Sequence, residues 1–342
     1  MTSAESTTAA KAGAPGRVGV LIANLGTPDG TGYWPMRRYL RQFLSDRFVI
    51  DLPRWKWLPI LHLMILTKRP FTSGAAYGKV WNNDRNEGPL RTITRDQAHA
   101  LAARLHAQFG DHVVVDYCMR YGNPGTASRA RRLQSAGCSR ILFFPLYPQY
   151  AGATTETACQ AFDQAMRSLA ADSRVVPAYF DHPLYIAALA QSIRNALTKS
   201  ARKPDAVLAS YHGMPQRYRD NGDPYYDQCL ETSRLLGDAL GPDGPELITA
   251  FQSKFGPEEW LKPYTVQEVA RLARAGKKRI IVIAPGFSAD CLETLEEIEV
   301  EIREAFVAAG GEEFMYVPCL NTTDAHTEMM AEIVTDSLNG WQ

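Results

Sequence analysis

Apolar residues gather in short unbroken runs rich in Val, Ile and Phe, at 18–25, 112–121, 140–147, 205–212, 246–253, 279–287 and 313–320, and each run reads as a β-strand. Most are apolar at every position, the pattern of strands covered on both faces. Between them, 92–109, 126–136, 155–171, 184–199, 265–275 and 292–308 carry apolar residues at three- and four-residue spacing, which predicts amphipathic helices. Alternation of this kind predicts an α/β fold of parallel sheets flanked by helices.

Three stretches of the first half recur in the second, in the same order. Residues 20–28 (VLIANLGTP) align with 207–215 (VLASYHGMP), so Leu25 and His212 hold equivalent places before a Gly-x-Pro. Residues 118–124 (CMRYGNP) align with 252–258 (QSKFGPE), pairing Arg120 with Lys254 and Tyr121 with Phe255, and 140–157 align with 279–296. Two related units are expected: a first domain over 17–175, a second over 176–321, and a last helix over 322–340 that packs back on the first. The first loop runs from Thr27 to about Asp111 in one copy but only from Met214 to about Glu246 in the other, so extra chain over about 27–90 is assigned to the ligand as a lip. Ligands of open α/β sheets sit beyond the carboxyl ends of the strands, which places the cleft at the Gly-x-Pro turns and at the loops after 121, 147, 255 and 287.

A chain of 342 residues exceeds what one core sustains, in keeping with two domains. With 37 basic against 37 acidic residues, no nucleic-acid or polyanionic partner is expected. The six cysteines, at 118, 138, 159, 229, 291 and 319, are too scattered for a zinc or iron–sulfur pair, which suits a reduced cytoplasmic protein. Residues 1–16 lack the apolar centre of a signal peptide and are expected to form a disordered tail. The most apolar stretch, Leu58 to Leu66, is too short to span a bilayer.

Of seven histidines, only His212 ends a buried-type strand at a tight turn, where it suits a base or a metal ligand. A histidine there can equally cap the strand through a backbone carbonyl. The run from Asp290 to Glu297 opens a helix on which Glu293, Glu297 and Glu301 share a face at four-residue spacing. Such a row can pass a hard cation or protons, or simply be a solvated first turn that suits the helix dipole. Trp57, Leu58 and their neighbours between Arg54 and Arg69 mix Trp, Leu and basic residues, a composition that suits an apolar lip touching ligand and membrane surface.

Residues 24–28 (NLGTP), 39–46 (YLRQFLSD), 145–150 (PLYPQY), 210–215 (SYHGMP), 251–256 (FQSKFG), Trp260-Leu261 and 287–297 together resemble the ferrochelatases, in the right order and over about residues 18 to 340. The resemblance implies two Rossmann-like, chelatase-type domains with a macrocycle cleft between them. It implies that His212 is the essential cleft histidine and that Glu293 is the carboxylate facing it, with Glu297 and Asp290 as a relay. Leu25, Tyr147, Trp260 and Phe287 would line the porphyrin pocket, with Arg120 and Tyr121 on the side away from His212. Relatives often carry His where Cys291 stands, which puts any metal route through that position in doubt. Animal members hold an iron–sulfur cluster with C-terminal cysteines, whereas none follows Cys319 here, so no cluster and no permanently bound cofactor are expected.

The implied reaction inserts Fe²⁺, a substrate, into protoporphyrin IX with loss of two pyrrole protons. His212 would take the protons, and an imidazole with a carboxylate would also make a weak iron site. A basic cleft would instead suit an acidic tetrapyrrole such as sirohydrochlorin or coproporphyrin, and a hinged pair of domains would suit a non-catalytic heme or metal carrier. The neutral charge and the apolar lip favour protoporphyrin. The protein is expected in the cytoplasm, in weak peripheral contact with the inner face of the membrane.

Overall fold

The computed structural model describes residues 16–200 and 202–341; the tail expected over 1–16 lies, apart from Gly16, outside them. The first half contains β1 (Arg17–Thr27), α1 (Tyr33–Leu44), α2 (Arg54–Ile60), a π-helical turn (Leu61–Ile65), α3 (Leu66–Val80) and α4 (Pro89–Phe109). It continues through β2 (Val113–Gly122), α5 (Thr126–Ser135), β3 (Cys138–Pro145), α6 (Thr157–Met166) and β4 (Asp172–Val175). The second half contains α7 (Pro183–Lys199), β5 (Ala206–His212), α8 (Gln216–Asp220), α9 (Tyr225–Leu240), β6 (Leu247–Gln252), α10 (Thr265–Arg274) and β7 (Arg279–Ile283). A π-helix (Glu293–Ile302), α11 (Arg303–Ala308), β8 (Glu313–Val317) and α12 (Asp324–Leu338) complete it.

All pairings within the two four-stranded sheets are parallel, and the sheets share one plan: β2-β1-β3-β4 and β6-β5-β7-β8. The repeat read from the sequence is therefore a repeat of topology. Its second match is two residues out, however: Asn24 pairs with Met119 and Tyr211 with Phe251, so Met119 corresponds to Phe251 rather than to Ser253. β4 carries no apolar signal because all four of its residues are exposed at the sheet edge. The stretch 214–246, expected as a loop, is largely helical, with α9 covering β6.

One apolar cluster runs through both halves, from Val20, Ile22 and Phe144 to Val207, Tyr211 and Ile283, and takes in Met329, Met330 and Val334 of α12. α12 lies against α4 of the first half and α7 of the second. At its carboxyl end Arg174 of β4 donates to the carbonyls of Ser337 (3.2 Å) and Asn339 (3.5 Å) and stacks on Trp341 (4.6 Å), where a cation complements the helix dipole.

The inserted lip is helical, not a loop. Met36, Tyr39, Leu40, Trp57, Leu61 and Leu66 form a core of their own against Tyr121. Asp46 fastens this insert to the sheet. Its Oδ2 accepts from Thr157 Oγ1 (2.6 Å), Tyr121 OH (2.9 Å) and Arg120 Nη2, and its Oδ1 from Phe48 N–H (2.9 Å). Burial alone would raise this carboxyl, but the donors from Thr157, Phe48 and Tyr121, with the charge of Arg120, hold it below its usual value.

An aspartate in the unfolded chain titrates near pH 3.9. Because the folded value is lower, the stabilisation from Asp46 is complete above that pH and is lost as pH falls through the folded pKa. Asp46→Asn is expected to melt at a lower temperature than the wild type at pH 7, with the gap narrowing under strongly acidic conditions. A gap that does not change with pH in calorimetry would show that the charge of Asp46 contributes nothing.

Candidate functional site

In each sheet the first strand connects to the second on one side, while its other neighbour, the third, connects away to the fourth, so the connections at their carboxyl ends diverge and open a crevice there. Leu25 stands at that point on β1 and His212 on β5. His212 is the one exposed residue of a strand whose other six positions are buried. Its Nδ1 lies 2.6 Å from the carbonyl oxygen of Gly213. A carbonyl only accepts, so the geometry assigns the proton to Nδ1 and leaves a lone pair on Nε2. The strand-capping role and a free imidazole nitrogen thus coexist. Gly213 has no room for a side chain: a Cβ would stand 2.6 Å from Gln252 O and 3.2 Å from Trp260 Cε3. Trp260 accordingly sits on the turn beside His212, its buried indole N–H without a protein partner.

Glu293 opens the π-helix and is half-buried. Two insert phenols, Tyr39 and Tyr77, lie within its field; burial chiefly, and the Glu293 charge in part, push both above their ordinary values, so they stay protonated. Burial and Glu293 also push the Cys291 thiol well up. Cys291 is therefore a neutral thiol here, packed with Leu90 and Ala289 against Leu25 and Phe287.

The other acids of this segment are anchored. Asp290 accepts from Thr294 Oγ1 (2.9 Å), Tyr316 OH (2.6 Å) and Asn321 Nδ2 (2.6 Å). Glu297 accepts from Gln252 Nε2 (3.1 Å) and from Ser253 N (2.6 Å) and Oγ. A carboxylate held by three donors is fixed in place, so both residues tie elements together in this structure. The π-helix closes i→i+5 bonds, a wide turn that keeps residues four apart, as Glu297 and Glu301 are, on neighbouring positions of one face. Glu296 joins it: the Glu301 carboxyl is raised by burial and then by Glu296 and Glu297, while Glu296 pairs with Lys79 of α3 at 2.6 Å. Among the described residues, no three His, Cys, Asp or Glu side chains are grouped to hold a metal.

Two expected wall residues spend their polar groups on the insert. Tyr121 is 0% exposed, with its hydroxyl on Asp46, and Arg120 spends its guanidinium on Asp46 and on Thr157 (2.8 and 3.0 Å). They bind the insert because Asp46 folds back over the end of β2. Tyr147, 8% exposed, keeps a buried hydroxyl without a protein partner. Leu25 and Phe287 are half-buried where the clusters of the two halves meet. Trp57 is core, donating its indole N–H to Leu44 O (2.7 Å), and Leu58 packs beside it. The side chains that form the exposed lip are Trp55 and Leu63, each 75% exposed, with Met64, Phe71 and Trp34. Across the mouth, Arg69 of α3 stacks on the exposed ring of Phe255 at 5.1 Å, and Arg217 of α8 reaches Asp51 at 2.9 Å.

Tyr39, Tyr77 and Gln252 escaped the sequence reading. Gln252 and Tyr39 lie inside recognised motifs, but a motif does not show which side of the strand or helix a side chain takes.

The ferrochelatase family model matches residues 17–338. The chain belongs to the ferrochelatase family. It is 57% identical over 328 residues to a ferrochelatase of Rhodobacter capsulatus, covering 95% of this chain and 93% of that protein. It is 51% identical over 328 residues to a ferrochelatase of Chelativorans sp., covering 95% and 92%. Among solved structures, SirB from Bacillus subtilis with Fe³⁺ superposes with a TM-score of 0.54 at 11% identity, covering 94% of this chain and 95% of that one. CbiX, the terminal enzyme of siroheme biosynthesis in denitrifying bacteria, does so with a TM-score of 0.52 at 14% identity, covering 94% and 99%. These two likenesses show the chelatase fold that the family resemblance implied.

The division of the lip is testable. Trp57→Ala is expected to destabilise the fold by about 3–5 kcal/mol, as loss of a buried Trp does. Leu63→Ser should leave stability within about 0.5 kcal/mol. Equal losses in denaturant titrations would show that both side chains are core.

Proposed function

We propose that this ferrochelatase-family chain inserts Fe²⁺ into protoporphyrin IX to form protoheme, with His212 as the proton acceptor and Glu293 as its charged partner. The observation that carries this reading is the imidazole at the end of β5, which has a proton fixed on Nδ1 and a lone pair left on Nε2 at an exposed position. The substrate must lose two pyrrole N–H protons as iron sheds water and gains four nitrogen ligands. A neutral imidazole takes one such proton at a time and returns it to solvent, and a nearby carboxylate lowers the cost of the imidazolium. Glu293 is suited to that part because, unlike Asp290 and Glu297, it is not locked by a set of donors.

The macrocycle would lie in the crevice between the two strand ends, with Leu25, Tyr147, Trp260 and Phe287 supplying apolar surface. A planar porphyrin shields its own lone pairs, and a ring held bent exposes them, with the strain drawn from remote contacts. The buried neutral phenols of Tyr39 and Tyr77 keep the wall facing Glu293 uncharged. No helix among the described residues is long and apolar enough to cross a membrane. The exposed Trp55, Leu63, Met64 and Phe71, next to the exposed Arg54, Lys56 and Lys68, instead suit weak peripheral attachment to an anionic bilayer.

His212→Ala is expected to lower kcat by about 10²–10⁴-fold, while porphyrin affinity by fluorescence titration stays near wild type. Glu293→Gln should lower kcat and change its pH dependence. Near wild-type turnover of His212→Ala with Zn²⁺ or anaerobic Fe²⁺ would return this residue to a strand-end cap. For the lip, the Trp55→Ser, Leu63→Ser, Met64→Ser triple variant should lose co-sedimentation with anionic vesicles at an unchanged melting temperature. Undiminished binding would place the membrane contact elsewhere.

A further inference from the structure

Gln252 stands beside His212 in the sheet, the two being direct partners in the β5–β6 register. It is 3% exposed, so every polar atom of its side chain must find a partner within the protein. The amide oxygen accepts from Ser210 Oγ at 2.7 Å, and Ser210 is in turn 2.9 Å from Thr265 Oγ1. The amide nitrogen donates to the Glu293 carbonyl at 3.0 Å and to Glu297 Oε2 at 3.1 Å. The opposite rotamer of the amide would set its oxygen against a carbonyl and a carboxylate, so the orientation is dictated by its neighbours. The backbone carbonyl of Gln252 meanwhile accepts from Gly213 N–H at 2.8 Å, closing the turn that carries His212.

We propose that Gln252 is a positioning residue that holds the two proposed catalytic groups in register, an inference that rests on the His212 and Glu293 reading above. Its main chain fixes the turn after His212, and its side chain fixes the first residue of the π-helix, on which Glu293 stands. No other residue among those described is hydrogen-bonded to both. The π-helix closes i→i+5 bonds, and the Gln252 amide ties its first residue to the end of β6. Glu297, bound by the same amide, acts as a second tether four residues further on. Displacing the carboxylate by even about 1 Å would cost roughly 10²-fold in rate.

The test uses Gln252→Glu, Gln252→Leu and Ser210→Ala in the full chain, each checked for melting temperature and for porphyrin affinity by fluorescence. Gln252→Leu removes both donors and is expected to lower kcat roughly 10- to 100-fold with porphyrin affinity little changed. Ser210→Ala frees the amide while sparing its donors, and should give a smaller loss of the same kind; it carries the test should Gln252→Leu fail to fold. Gln252→Glu places a carboxyl against Glu297, with Glu293 and His212 as the other titrating neighbours and Glu268 of α10 already paired with Arg271 at 2.6 Å. Burial and Glu297 both favour the protonated form of the new group, and its O–H can replace the amide donor. The ratio of variant to wild-type kcat should therefore rise as pH is lowered. A residue that served only folding would change melting temperature and leave this ratio flat.

Full kcat in folded Gln252→Leu and Ser210→Ala, or a flat pH ratio for Gln252→Glu, overturns the inference while His212→Ala remains inactive. If His212→Ala retains turnover, the underlying assignment fails instead, so the two failures are distinct.

Discussion

Everything that matters in this molecule hangs on the position of one strand in each sheet. β1 connects to β2 on one side while its neighbour β3 connects to β4 on the other, and β5 and β7 do the same, so the connections at these carboxyl ends diverge. Chain cannot fill the space between diverging connections, so a crevice is left at each strand end, and the residues standing there are Leu25 and His212. The rest of the site follows by hydrogen bonding outward from β5: Gly213 to the main chain of Gln252, and the side chain of Gln252 to the π-helix. The apolar cluster that runs through both halves keeps the two crevices together.

Electrostatics then sorts the acids. A carboxylate taken out of water survives in a folded protein only when donors replace its lost hydration, and Asp46, Asp290 and Glu297 are so provided. Each ties two elements together and gives up reactivity in doing so. Glu293 and the Nε2 atom of His212 are not anchored in this way. The same sorting applies to thiols, since burial and a neighbouring carboxylate keep Cys291 protonated.

The insert repeats the device on the other sheet. By strand register, Arg120 at the end of β2 corresponds to Gln252 at the end of β6. Arg120 holds Asp46 of the insert as Gln252 holds Glu297 of the π-helix. In both halves the end of the outer strand secures the element that closes the crevice. The insert then divides its own apolar residues: Trp57 faces inward and bonds Leu44, whereas Trp55 faces solvent.

Periodicity determined a good deal unaided. Unbroken apolar runs located seven of the eight strands, because a strand covered on both faces has no polar option, and the internal match revealed a duplicated plan. The motifs around His212 and Glu293 identified the family. Side-chain direction was beyond reach. Trp55 and Trp57 have the same composition around them and differ only in helical phase, and Arg120 and Tyr121 fit a pocket wall equally well until Asp46 is seen folded over them. β4 stayed hidden because an exposed edge strand needs no apolar residue. The acid row is the sharpest case. Sequence supplies five glutamates and an aspartate within twelve residues, but which are anchored and which is free depends on donors from β6, β8 and α3, and only the packed structure brings those elements to the helix.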